Sequence, residues 1–176
     1  MLLSSEFLLE VQGLLTGFDI RRSGWIDRVP MLTGVQADGS MPIVQSFQAG
    51  RIDFDPVGSP ETVATAIRIG NPVSGRKALK AIYSTGGCAI GVTDEEILQA
   101  QRMLGRREGV GVEPASAASI AGLIKLRANG EVGRDERVVC ICTGNALKDP
   151  DTIIKSCPPP LQSKADAAEI KRLLQS

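Results

Sequence analysis

Thr143, Gly144 and Asn145 follow directly on Val138, Val139, Cys140, Ile141 and Cys142, an apolar, partly β-branched run with charge before it and glycine behind. Such a run reads as a buried strand. A hydroxyl and an amide at its carboxyl end fall where open parallel sheets bind their ligands, because the following loops diverge there. Two readings are open for the triplet. Either Thr143 addresses a ligand and Gly144 lets the chain pass close to it, or the polar residues cap the next helical turn. Upstream, Glu113 precedes Pro114 and the small residues Ala115, Ser116, Ala117, Ala118 and Ser119. Proline suits the first turn of a helix, and small side chains allow another segment to approach closely. The Glu113 carboxylate there either faces a ligand or is stabilised by the helix dipole.

The rest of the composition narrows the chemistry. The sequence has no histidine, so histidine catalysis and histidine metal sites are excluded. Cys88, Cys140, Cys142 and Cys157 do not form a secreted disulfide framework, since only two are closely spaced and apolar material for a core is ample. Cys140 and Cys142 share one side of their run; without histidine or a second close pair, core packing is favoured over a metal. Twenty basic and twenty acidic residues balance, which gives neither a nucleic-acid footprint nor an acidic tail. The amino-terminal stretch is apolar but interrupted by Glu6 and Glu10 and lacks a basic leader. It reads as neither a secretion signal nor a membrane span, and a cytoplasmic protein is expected.

The elements that must position these residues are legible in the hydrophobic spacing. Leu3, Phe7, Val11, Leu14 and Phe18 recur at helical spacing and predict a helix over 2–22, stopped near Gly24. A strand is expected over 31–37, a short helix over 42–48, an ordered turn over 61–67, a helix over 74–83 and a strand over 88–92. Thr93 and Glu96 form a capping box that starts a helix at Asp94. The next helix runs over 115–128 and ends near Asn129 and Gly130, after which the strand over 138–142 closes the pattern. Alternating strands and helices with few aromatics predict an α/β fold, a three-layer α/β/α unit with a mostly parallel sheet. A single unit is expected over 1–176, with a divergent start over 1–16, a core over 31–155 and a polar, helix-capable tail over 156–176.

Several motifs carry a family resemblance. VEPASAAS, then TGNALKDP, resemble the threonine synthases, fold-type-II enzymes that use pyridoxal 5′-phosphate (PLP). GVQADGSMPIVQSFQAG, ETVATAIRIGNPVSGRKAL and TDEEILQAQRMLGRREG are similar to the same family and stand in the same order. The resemblance implies the carboxyl-terminal portion of such an enzyme, with a partial tryptophan-synthase-β-like fold. It places the Thr143 hydroxyl against the pyridine nitrogen of the cofactor, Gly144 where the chain passes close by, Glu113 near the ring, and residues 64–67 beside the ring with the backbone near Ala66 as the contact. Asn145 and Ser116 are weaker candidates. The family's phosphate-binding glycine-asparagine loop and its Ser-x-Lys-Asp-Arg-Gly lysine, which carries the cofactor, have no counterpart in this sequence. Lys148 matches a different family lysine, in TG-x-x-LKD. The intact enzyme would convert O-phosphohomoserine and water to threonine and phosphate with PLP. This chain alone is expected to have no catalytic residues, to bind no cofactor or metal, and to be inactive. Its partners would be that small-molecule substrate, in the intact enzyme, with no nucleic acid and no membrane. An uncovered sheet edge and helix face predict a homo-oligomer. Two rival readings stand beside this one: a fragment of a serine or threonine dehydratase, and a non-catalytic binding module that retains the half-fold.

Overall fold

The computed structural model describes residues 2–3, 21–157, 159 and 161–175. Three strands run parallel in the order β1-β2-β3: β1 is Leu2–Leu3, β2 is Thr33–Ala37 and β3 is Cys88–Val92. Leu2 stands opposite Thr33, which in turn stands opposite Cys88, and Ala37 stands opposite Val92. Parallel neighbours need a crossover. Between β2 and β3 it is supplied by α1 (Pro42–Gln48) and α2 (Gly75–Ser84), and β3 is followed by α3 (Asp94–Glu108) and α4 (Pro114–Ala128).

Side chains alternate across a strand, and here the alternation sorts two cores. Val35, Ala37 and Val92 join Ile97 and Ala100 of α3 and Ala117, Ala118 and Ala121 of α4. On the opposite face Ala89 joins Ile43 and Val44 of α1 and Leu79 and Ile82 of α2. Burial of each large aliphatic side chain in these cores contributes about 1.5–3 kcal/mol. The result is the expected three-layer α/β/α arrangement around a parallel sheet. The small residues of α4 explain its fit. Its first two turns are buried nearly all round, and a Cβ added at Gly122 would press on both methyls of Val35, so α4 lies directly on β2.

Local chemistry starts and stops the helices. Thr93 Oγ1 accepts from Glu96 N at 3.1 Å while Glu96 Oε2 accepts from Thr93 N at 2.7 Å, closing the capping box at the start of α3. Gly109 ends that helix with φ 66°. Pro114 occupies the first position of α4, and Gly130 turns the chain after it with φ 76°. The free amides at the start of α1 are met from the sheet: buried Gln36 accepts from Ile43 N at 2.9 Å and from Val44 N at 3.1 Å through Oε1.

Two expectations change. Within residues 138–142 Cys140 forms an isolated β-bridge, no ladder joins this run to β1, β2 or β3, and Val139 is 62% exposed. Val138 and Cys140 turn instead against the α4 core, so packing on a helix holds a run whose composition suggested a sheet position. In the helix predicted over 2–22, Leu2–Leu3 is a strand, because the side of β2 away from β3 offers it a backbone ladder that side-chain spacing does not register. Arg21 and Arg22 are helical and the chain turns at Gly24 with φ 76°; residues 4–20 of the predicted helix lie outside the described residues. The strand expected over 31–37 pairs from Thr33 onward. Beyond the core, α5 (Pro150–Ser156) starts where Asp149 Oδ1 accepts from Thr152 N at 3.2 Å. The tail forms α6 (Ala167–Leu174), where Asp166 Oδ1 accepts from Glu169 N at 2.8 Å.

Candidate functional site

The segment before α4 and the segment after Cys142 are laced together. Val112 bridges Asn145 antiparallel, Glu113 N donates to Gly144 O at 3.1 Å, and Ala146 N donates to Gly111 O at 3.1 Å. The lacing brings Gly144 over the first turn of α4, where its N–H donates to Ser116 Oγ at 2.7 Å. Ser116 therefore holds the loop. Gly144 is required by space: a Cβ there would run into the Glu113 carboxylate, with Glu113 Cγ at 2.7 Å. The two residues that the sequence marked from opposite ends of a 31-residue separation are in van der Waals contact.

Glu113 sits at the N-cap position of α4, yet its side chain makes no capping bond. The carboxylate is 4% exposed and receives the ammonium of Lys148, Nζ to Oε1, at 3.3 Å. A buried anion in this position gains from the positive end of the helix dipole as well as from the lysine. Lys148, half exposed, pairs with Glu113.

Cys142 and Cys140 dock the preceding run onto α4. Cys142 Sγ lies 3.8 Å from both Ser116 O and Ser119 Oγ, and Cys140 Sγ lies 3.9 Å from Ser119 O. Burial, joined by the neighbouring Cys142, pushes the Cys140 thiol up to about 11, which keeps it protonated and unreactive. Thr143 projects from this anchored run and is exposed. Asn145 follows the capping alternative: its Oδ1 accepts from Leu147 N at 2.9 Å and starts the 3-10 turn Ala146–Lys148.

Ala66 lies in a second 3-10 turn, Thr65–Ile67, which packs against α4. That turn is tied down from the start of α3. Asp94 Oδ2 accepts from Val63 N at 3.0 Å, the Thr62 hydroxyl donates to Asp94 Oδ1, and Arg68 Nε donates to Thr62 O at 3.0 Å. Ala66 is half buried against the α4 core. The structure thus joins Glu113, Gly144 and Ser116 directly, sets Thr143 at their rim, and places the Ala66 turn on the same helix. Sequence reading missed Asp94 as the tether and Ser119 as the thiol partner. The (i, i+3) spacing of Ser116 and Ser119 on a small-residue helix was the available signal for the latter.

The arrangement sets a neutral hydroxyl on an anchored backbone beside a buried carboxylate. Residues 11–144 match the pyridoxal-phosphate dependent enzyme family. Threonine synthase of Methanocaldococcus jannaschii is 52% identical over 94% of this chain and 41% of its own length. Threonine synthase of Methanosarcina acetivorans is 52% identical over 93% of this chain and 41% of its own. The chain therefore spans well under half the length of these relatives. Among solved structures, the processed threonine deaminase isoform 2 of Solanum lycopersicum superposes with a TM-score of 0.63 at 16% identity, over 81% of this chain and 39% of that one, a likeness of fold alone. With the family match covering most of its length, the chain belongs to the pyridoxal-phosphate dependent enzymes.

Proposed function

We propose that the chain supplies the ring-facing wall of a threonine synthase, an enzyme that converts O-phosphohomoserine and water to threonine and phosphate in the cytoplasm, and that it is inactive by itself. Bound PLP would supply the electron sink for chemistry at the substrate's α-carbon. The chain's own residues position it. Thr143 would offer a neutral hydroxyl to the ring nitrogen, which would leave that nitrogen uncharged, where an aspartate would hold it protonated. Gly144 would let the backbone pass close to the ring, Glu113 would stand near it, the backbone near Ala66 would lie beside it, and Ser116 fixes the loop.

The observation that supports this reading most is the fixation of Gly144 by Ser116 and Glu113, which leaves the adjacent Thr143 exposed on an anchored backbone. The family's cofactor-bearing lysine has no counterpart among these 176 residues, so activity would need the part of the relatives that this chain does not match. The test is co-expression with the part of the Methanocaldococcus jannaschii threonine synthase that this chain does not match, followed by an assay of phosphate release from O-phosphohomoserine with added PLP. The pair should turn over and the single chain should remain at background. Turnover by the single chain sinks the claim of dependence, and an inactive pair that nevertheless assembles and takes up PLP sinks the assignment of the reaction.

A further inference from the structure

A cavity of about 240 Å³ lies between the second half of α3, the Gly111 and Val112 segment, the Ala146 turn and α5. Val112, Ala146 and Ile153 give it an apolar wall. Arg102 and Arg106 also line it, and residues four apart share one helix face. Neither guanidinium has an acceptor among the described residues, and Arg102 is half buried. Gln101, 7% exposed, donates from Nε2 to Val112 O at 2.8 Å, which fixes the amide and secures this wall.

Gly105 gives a second, independent indication. It lies in the interior of α3, where glycine weakens a helix relative to alanine. Its φ is not positive, and a Cβ there would meet nothing within 4 Å, so neither backbone nor packing calls for glycine. The effect of the missing side chain is the open volume itself.

We propose that this cavity is a binding site for a small amphipathic carboxylate, with its short tail against Val112, Ala146 and Ile153 and its head group held by Arg102 and Arg106. Guanidinium groups pair with carboxylates through parallel hydrogen bonds, and the apolar wall discriminates against a bare anion. The volume is small for a ligand pocket, which limits the tail to a few carbons. A ligand seated there touches both segments that hold Glu113 and Gly144, so its binding tightens the lacing from behind. The assignment stands on this cavity alone and is independent of the cofactor reading.

The test is an amide NMR titration of the chain with hexanoate, hexanol, hexylamine and inorganic phosphate. Hexanoate should shift Gly105, Val112, Ala146 and Ile153 with a Kd of about 1 mM or tighter. Hexanol should bind roughly tenfold or more weakly, the loss expected when a charged hydrogen-bonding head is removed. Hexylamine and phosphate should leave these residues unmoved. Arg106→Gln should bring hexanoate down to the level of hexanol, and Gly105→Leu should fill the cavity and abolish binding without lowering Tm. Equal binding of hexanol and hexanoate, shifts confined to other residues, or retained binding in a folded Gly105→Leu variant each overturns the proposal. Should Gly105→Leu fail to fold, the Arg106→Gln comparison decides.

Discussion

Replacing Gly144 by alanine should destabilise the chain through a single contact. Gly144 does not have a positive φ, so alanine is allowed by the backbone, and the cost begins with the new methyl meeting the Glu113 carboxylate. Overpacking of this kind costs about 1–3 kcal/mol. Displacing the loop also weakens the 2.7 Å bond from Gly144 N to Ser116 Oγ, worth about 1 kcal/mol. Against this, alanine restricts the unfolded chain and returns about 0.4–1 kcal/mol. The net expectation is a loss of about 2 kcal/mol, read in urea melts as a lower midpoint, or a fall in Tm of about 4–8 °C for a chain of this size. The same change in a Glu113→Ala background, where the carboxylate and Cγ are gone, should cost less than about 0.5 kcal/mol, so the two sites couple strongly. Additive costs in the double variant, or a Gly144→Ala chain as stable as the parent, would show that the two segments are not in contact as described.

Thr143→Val should change the stability of the isolated chain by less than about 0.5 kcal/mol, since the residue is exposed, while lowering turnover of the complemented enzyme by about ten- to a thousandfold; the reverse pattern would make it a structural cap. Thr93→Ala breaks the capping box of α3 and should cost about 1 kcal/mol in urea denaturation, a loss near zero counting against the box. Burial acts to raise the Glu96 carboxyl, but its bond to the Thr93 amide and its pairing with Lys125 outweigh that and hold it below its usual 4.5. Its contribution to stability is therefore full above that value and lost as pH falls through the lowered one, so Tm of the parent should fall more steeply than that of Glu96→Gln below pH 4.5; parallel curves would refute this. Iodoacetamide at pH 8 should label exposed Cys142 and Cys157 before Cys140, whose thiol is pushed up to about 11, and mass spectrometry showing the opposite order would contradict the docking of that run. Light scattering should find a dimer or larger species, a compact monomer at high concentration being the contrary result.

What the sequence made legible is what short-range chemistry encodes. Thr93 and Glu96 lie three apart and cap a helix wherever it packs, and Pro42 and Pro114 mark first turns through their own fixed φ. The strand at Cys88–Val92 carries its signal in five consecutive residues. Residues 138–142 carry an equally good strand composition, but a ladder depends on the neighbour, and among the described residues the run packs on the small-residue face of α4, with a β-bridge at Cys140 alone. The site divides in the same way. Close approach at Gly144 was readable from its type; that the approaching group is the Glu113 side chain was not, because 31 residues separate them. Glu113 itself fell between two readings, and its carboxylate takes Lys148 without capping the helix. Asp94 was legible only as the first residue of α3. Its hold on Thr62 and Val63 is a long-range contact that no local pattern announces.

Lys125 bears on solubility. Among the described residues β3 is one of the two outermost strands, and an open parallel edge is a template on which further strands can grow into aggregates. Lys125 reaches from α4 to that edge and donates to Gly91 O at 2.9 Å, while Glu96 steadies its ammonium at 3.2 Å. An incoming strand would have to evict a cation already paired on the helix side, and would bring no positive charge in exchange. Fibrillar sheet extension at β3 would thereby be opposed, and acetylation of this one lysine would remove the guard.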